Sequence, residues 1–148
     1  MLSENTAKQW PPGQGTLSFE PKPLHNDSRE ERIMMPDWIR EFDGAVTVCD
    51  TAGIILYMND KAARTFERWG GRQLVGHSLI DCHPEPARSK LLHLMEHQQK
   101  NVYTIEKGGV RKIIYQSPWF ENGQYAGFVE LSLEIPADMP HFVRSPAT

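Results

Sequence analysis

The most chemically loaded stretch of this chain is His77-Ser78-Leu79-Ile80-Asp81-Cys82-His83, with two imidazoles, a thiol and a carboxylate within seven residues. Thiolate and imidazole are good ligands for zinc, iron or haem, so His77, Cys82 and His83 are the candidate metal ligands. A structural zinc site asks for four ligands at recurring spacing, however, and no CxxC occurs. Adjacent Cys82 and His83 also cannot easily turn toward one ion. The alternative is structural: His83 or Asp81 caps the following helix, and Cys82 is a small buried hydrophobe. A Cys82 thiolate beside an imidazole would be nucleophilic, but neighbours in sequence are not thereby in hydrogen-bond reach. No oxyanion device or phosphate-binding glycine loop accompanies them, so the chain is not expected to be an enzyme.

A second pair, His93 and His97, stands four residues apart and could clamp a metal on a helix face. The stretch His93-Leu94-Met95-Glu96-His97 lacks the zinc-protease pattern. Stepping about 100° per residue from Ala87 gathers Leu91, Leu94, Met95 and Gln98 on one side, with Leu92 at the flank. Both histidines then fall largely on the other side, toward solvent. That placement argues against either as a haem ligand.

These residues need a scaffold. The 148 residues suffice for one domain. Hydrophobic residues are 39%, and the 11 glycines bring the apolar share near that of a folded protein, against wholesale disorder. Of the 11 prolines only Pro84, Pro86 and Pro118 lie within 37–135, which marks a folded centre between two loose ends. Residues 1–27 read as a flexible N-terminal arm. Residues 28–42 read as an amphipathic helix, capped by Ser28 with Glu31 at the capping-box position. Pro36 interrupts that helix or opens a second one carrying Trp38, Ile39 and Phe42 on one face. Residues 136–148 read as a flexible tail. The net charge of −3, without a basic stripe, argues against nucleic acid as a partner. No apolar run approaches the ~18 residues of a membrane span. The start has no apolar core of signal-peptide type, and two cysteines cannot form a disulfide scaffold, so a cytoplasmic location is expected.

Within the centre, Ala45–Cys49 is rich in β-branched residues and reads as a strand. Asp50-Thr51-Ala52-Gly53 supplies turn chemistry, and 54–58 reads as the second strand of a hairpin. Asn59 is a good N-cap for a helix presenting Ala62, Ala63, Phe66 and Trp69, which Gly70-Gly71 ends. Pro84 and Pro86 suit the start of a second helix, reaching about Gln99. Strands return at 102–106, 110–120 and 125–135, joined by Gly108-Gly109 and Asn122-Gly123, both strong hairpin signals. The expected fold is α+β: a five-stranded antiparallel sheet with helices inserted between strands two and three, on one face.

Several marks of this order resemble a PAS domain. They are Asp43-Gly44-Ala45-Val46, Asp50-Thr51-Ala52-Gly53, Tyr57-Met58-Asn59 leading into Ala62, Ala63 and Phe66, then Leu74-Val75-Gly76, and finally Gly123 and Gly127. The resemblance covers about 43–135. Gly76, Asp81-Cys82-His83-Pro84 and 122–127 with Glu130 look narrower still. They are similar to the PAS module that follows hemerythrin-like domains in many bacterial proteins of unassigned function. Ile114 stands where that module carries Arg, so no charged ligand contact is carried over to it.

The resemblance implies a sensory module that binds a small molecule between sheet and helix and signals through a separate partner protein. Tyr57, Leu91, Met95, Tyr115 and Phe128 are candidates for the pocket lining, joined by Asn59, Cys82 and His83. Two alternatives stand beside it: a ligand-free dimerisation or docking module, and a haem- or metal-binding redox sensor. Homodimerisation is expected through 28–42. No cofactor is required by this reading.

Overall fold

The computed structural model describes residues 37–146. The chain divides into two units, 1–38 and 39–148, and the second carries the whole sheet. The expected arm 1–27 and most of the expected helix 28–42 lie outside the described residues. Where that segment is described it is a turn, closed by the Phe42 N–H donating to the Ile39 carbonyl at 3.3 Å.

Five strands, β1 (Ala45–Cys49), β2 (Ile55–Met58), β3 (Asn101–Lys107), β4 (Val110–Glu121) and β5 (Gln124–Ile135), form one antiparallel sheet in the order β2-β1-β5-β4-β3. The first and last strands in sequence are therefore neighbours at its centre. Two helices, α1 (Asp60–Thr65) and α2 (Ala87–Glu96), with 3-10 turns at Glu67–Trp69 and Gly71–Leu74, sit between β2 and β3 in the chain. They cover one face, as the expected α+β arrangement requires.

Local chemistry explains the connections. In the β1–β2 turn the Asp50 carboxylate accepts from the Ala52 and Ile54 N–H groups, both at 2.9 Å, while Gly53 takes φ +80°. The β4–β5 turn places Asn122 and Gly123 at positive φ, the mirror-image geometry that matches strand twist in a two-residue hairpin. Gly127 has a different reason to be glycine. A Cβ there would lie 1.9 Å from the Cys49 carbonyl oxygen, so only a bare backbone lets β5 approach the end of β1.

The core has two clusters on the helix-covered face. One joins Ala45, Ile55, Met58, Ala62 and Leu74, with Phe66 and Leu79 against it. The other joins Cys49, Leu91, Leu94, Met95 and Phe128. Along α2 the buried residues are Leu91, Leu94 and Met95, while Leu92, His93 and His97 are exposed. The helical period holds up to Glu96. Gln98 leaves the apolar side because the helix has ended and its φ is +50°.

Candidate functional site

Between the two clusters lies a cavity of about 140 Å³, lined from both strands and helices. Its floor comes mainly from alternate residues of the central strands, Thr47 and Cys49 of β1, Gln116 of β4, and Phe128 and Glu130 of β5, with Val129 between the last two. The cross-strand register explains this selection, because Thr47 lies opposite Glu130, Cys49 opposite Phe128, and Gln116 opposite Glu130. Directly opposed residues share a face of a pleated sheet. The roof and sides come from Leu91 of α2, from Leu74 and Phe66 beyond α1, and from Leu79, Cys82 and His83 in the connection between the helices.

Four sequence candidates, Cys82, His83, Leu91 and Phe128, therefore meet at this cavity, and four do not. Tyr115 is opposite Leu131, between the inward-facing Ile114 and Gln116, so strand alternation turns it to the far face. Tyr57 is opposite Val48 and shares that fate, whereas Met58, opposite Thr47, faces inward. The irregularity between Val48 and Cys49 brings Ile55 as well as Met58 to the cavity, and no simple alternation would have shown it. Met95 is buried beside Leu91 as part of the packed core and not the lining. Asn59 is fully buried but structural. Its Oδ1 accepts from Val46 N–H (3.0 Å) and Ala62 N–H (2.9 Å), and its Nδ2 donates to the Gly44 carbonyl (2.7 Å) and the Ile39 carbonyl (3.1 Å). It caps α1, as its position implied, and also ties the helix to the start of β1.

The Asp81-Cys82-His83 stretch does not cap α2. That helix begins after Pro86 without a side-chain cap, and Glu85 accepts instead from Ser89 N–H and Oγ. The Cys82 thiol donates to the Ser78 carbonyl at 3.1 Å, and His83 Nδ1 lies 2.5 Å from the Leu79 carbonyl. Each side chain is thus held by its own carbonyl four residues back, not by the other. Burial pushes the Cys82 thiol up, with the Asp81 charge adding to it, and burial raises the Cys49 thiol to about 11. Neither thiol is disposed toward thiolate chemistry at neutral pH. No group of three His, Cys, Asp or Glu side chains able to hold a metal ion occurs among the described residues, and His77, Cys82 and His83 do not form one. The cavity is too small for a porphyrin, and the exposed His93 and His97 stack on each other outside it, ring centres 4.1 Å apart. The cavity at this volume does not fit haem.

Gln116 and Glu130, neither among the pocket candidates, supply the polar wall, and Asn101, outside the lining, extends it by a hydrogen bond. Asn101 Nδ2 donates to Gln116 Oε1, and Gln116 Nε2 donates to Glu130 Oε2, both at 2.7 Å. Asn101, Gln116 and Glu130 thus form a hydrogen-bonded row across β3, β4 and β5. The available signal was alternation: polar Gln116 two residues from Ile114, and Glu130 two residues from Phe128, both within otherwise apolar strands. Ile114 itself is buried, in the place where the resemblance led to an expectation of Arg.

No family profile and no curated protein sequence matches this chain. Solved structures do. A C-terminal domain from Streptococcus mutans superposes with a TM-score of 0.53 at 19% identity, over 65% of this chain and 78% of that one. A PAS domain of an HTR-like protein from Haloarcula marismortui superposes with a TM-score of 0.51 at 11% identity, over 72% of this chain and 93% of that one. The fold is that of a PAS domain. In this PAS fold the cavity lies between the sheet and α2, with the polar row on the sheet side. No helix among the described residues is long and apolar enough to cross a membrane.

Proposed function

We propose that this chain is a non-enzymatic sensory module whose PAS-fold cavity takes a small molecule and whose occupancy is passed to a separate partner protein. One observation carries the reading: a cavity of about 140 Å³ where sheet and helix could have closed, with carboxylate, amide, hydroxyl and imidazole groups in a mainly apolar lining. Ligand sites characteristically combine an apolar surround with a few placed polar groups. Drug-sized ligands occupy roughly 300–1,000 Å³, so the occupant here is smaller. An apolar cavity of about 150 Å³ is enough for benzene. Kinship with the module that follows hemerythrin-like domains, and a cytoplasmic setting, belong to the same reading. Toluene titrated into the full chain should shift the backbone amides of Thr47, Cys49 and Phe128 saturably. Absence of any saturable shift at those residues with toluene and with its amine and carboxylate analogues alike would remove the sensing reading.

A second reading, homodimerisation or docking, is supported by the opposite face of the sheet. Val48, Tyr57, Ile113, Tyr115, Leu131 and Leu133 are only half-buried there, and Val102 is exposed. Sedimentation of the full chain and of a form lacking residues 1–42 tests whether that segment mediates assembly. A dimer that becomes a monomer supports it, and a truncated form that stays dimeric refutes it.

A further inference from the structure

The polar groups of the cavity are unequal in kind, and the inequality selects a ligand. Glu130 ends the row Asn101–Gln116–Glu130, and a carboxylate only accepts hydrogen bonds. It therefore dictates the direction of the whole row: Gln116 must offer its amide N–H to Glu130, and Asn101 must offer its own to Gln116. Across the cavity, the short contact of His83 Nδ1 with the Leu79 carbonyl requires the proton on Nδ1, which leaves Nε2 an acceptor in the neutral ring. The Cys82 thiol spends its hydrogen on Ser78. No lysine or arginine is among the described residues lining the cavity, and none of the described ion pairs includes Glu130. Burial, with the Glu130 charge adding to it, also holds the nearby Tyr103 phenol protonated.

Resting on the sensing reading above, we propose that the cavity recognises a small apolar body carrying a protonated amine, with the ammonium on Glu130 and the ring or chain among Leu79, Leu91 and Phe128. Amine donors satisfy acceptors that the protein leaves facing the cavity, and a charge-assisted bond to a partly buried carboxylate is among the stronger kinds. An anion of the same size meets Glu130 with no lysine or arginine in the described lining to compensate it. The volume confines the body to about the size of one benzene ring.

The test uses three probes of nearly equal shape on the full chain: toluene, benzylamine and benzoate, each titrated while the amides of Thr47, Cys49 and Phe128 are followed by NMR. Benzylamine is expected to bind at least about tenfold more tightly than toluene, the scale of one charge-assisted hydrogen bond. Benzoate is expected to produce no saturable shift. In Glu130→Gln, whose amide oxygen still accepts from Gln116, benzylamine should fall to the affinity of toluene while toluene is unchanged. Toluene binding as tightly as benzylamine, or benzoate binding best, overturns the amine assignment and leaves the sensing reading standing. Retention of the amine preference in Glu130→Gln also overturns it. Should none of the three probes bind, the sensing reading fails and the assignment with it. The wild-type series decides the question even if the variant folds poorly.

Discussion

The two helices are held to the same sheet in opposite ways. At the start of α1, Asn59 makes four hydrogen bonds and has no exposed surface, tying the helix, the start of β1 and the preceding turn into one unit. At the start of α2 there is no side-chain cap, only Glu85 reaching Ser89, and the connection before it is held by Cys82 and His83, each on one nearby carbonyl, and by the half-exposed Arg88 on the Ile80 and Asp81 carbonyls and the Asp81 carboxylate. What anchors α2 is apolar packing of Leu91, Leu94 and Met95 on Cys49 and Phe128. Hydrogen bonds specify one geometry, whereas apolar contact tolerates small sliding. A cavity roofed by one firm end and one slidable end fits the sensing function proposed above.

The hardest way to break this contrast is at the strand junction both ends share. Gly127→Val puts a side chain into the Cys49 carbonyl and the Asp50 backbone, so loss of the cooperative unfolding transition is expected by circular dichroism. Next, Asn59→Ala strands buried backbone groups of Val46, Ala62 and Gly44, and should cost about 3 kcal/mol in urea unfolding. Asn59→Asp should recover part of that, since its oxygens still accept from Val46 and Ala62 but now oppose two carbonyls. At the other end, Leu91→Ala should cost about 2 kcal/mol, toward the low side for a buried leucine, because α2 can settle into the space. A loss in Leu91→Ala as large as that in Asn59→Ala would erase the distinction between the two ends.

Smaller effects sharpen it. The Cys49 thiol is raised from 9.0 to about 11 by burial, so the folded state prefers the protonated thiol more than the unfolded state does. Its contribution is complete below pH 9 and is lost as pH rises toward 11, and Cys49→Ala should remove that part of the alkaline stability loss. The smallest effect belongs to the exposed pair of Asp43 and Lys61. Lys61 holds the Asp43 carboxyl below its usual range, so the pair's contribution falls away only in acid, and Asp43→Asn should leave the unfolding midpoint nearly unchanged at neutral pH.

Legibility in the sequence followed the range of the interaction. The β1–β2 turn, the cap at Asn59, the two-residue hairpins and the buried side of α2 were readable because each depends on residues a few positions apart. The pocket was half readable. Cys82, His83, Leu91 and Phe128 were among the candidates and line the cavity, but Tyr57 and Tyr115, candidates whose facing the sequence leaves open, lie on the opposite face. Which alternate set of a strand faces inward depends on its register with strands distant in sequence, and a slip of one residue reverses it. The expected cap by His83 or Asp81 failed for a related reason. The stretch closes on its own carbonyls at Ser78 and Leu79 instead of reaching forward.

By itself, then, the sequence determined the elements, their order and the α+β class, because propensity, capping and turn chemistry act locally. The strand order β2-β1-β5-β4-β3, the cavity between the two clusters and the row Asn101–Gln116–Glu130 were decided only in three dimensions. Glu130 faces Thr47 and Gln116 because three strands far apart in the chain align there, and that alignment is a property of the sheet as a whole.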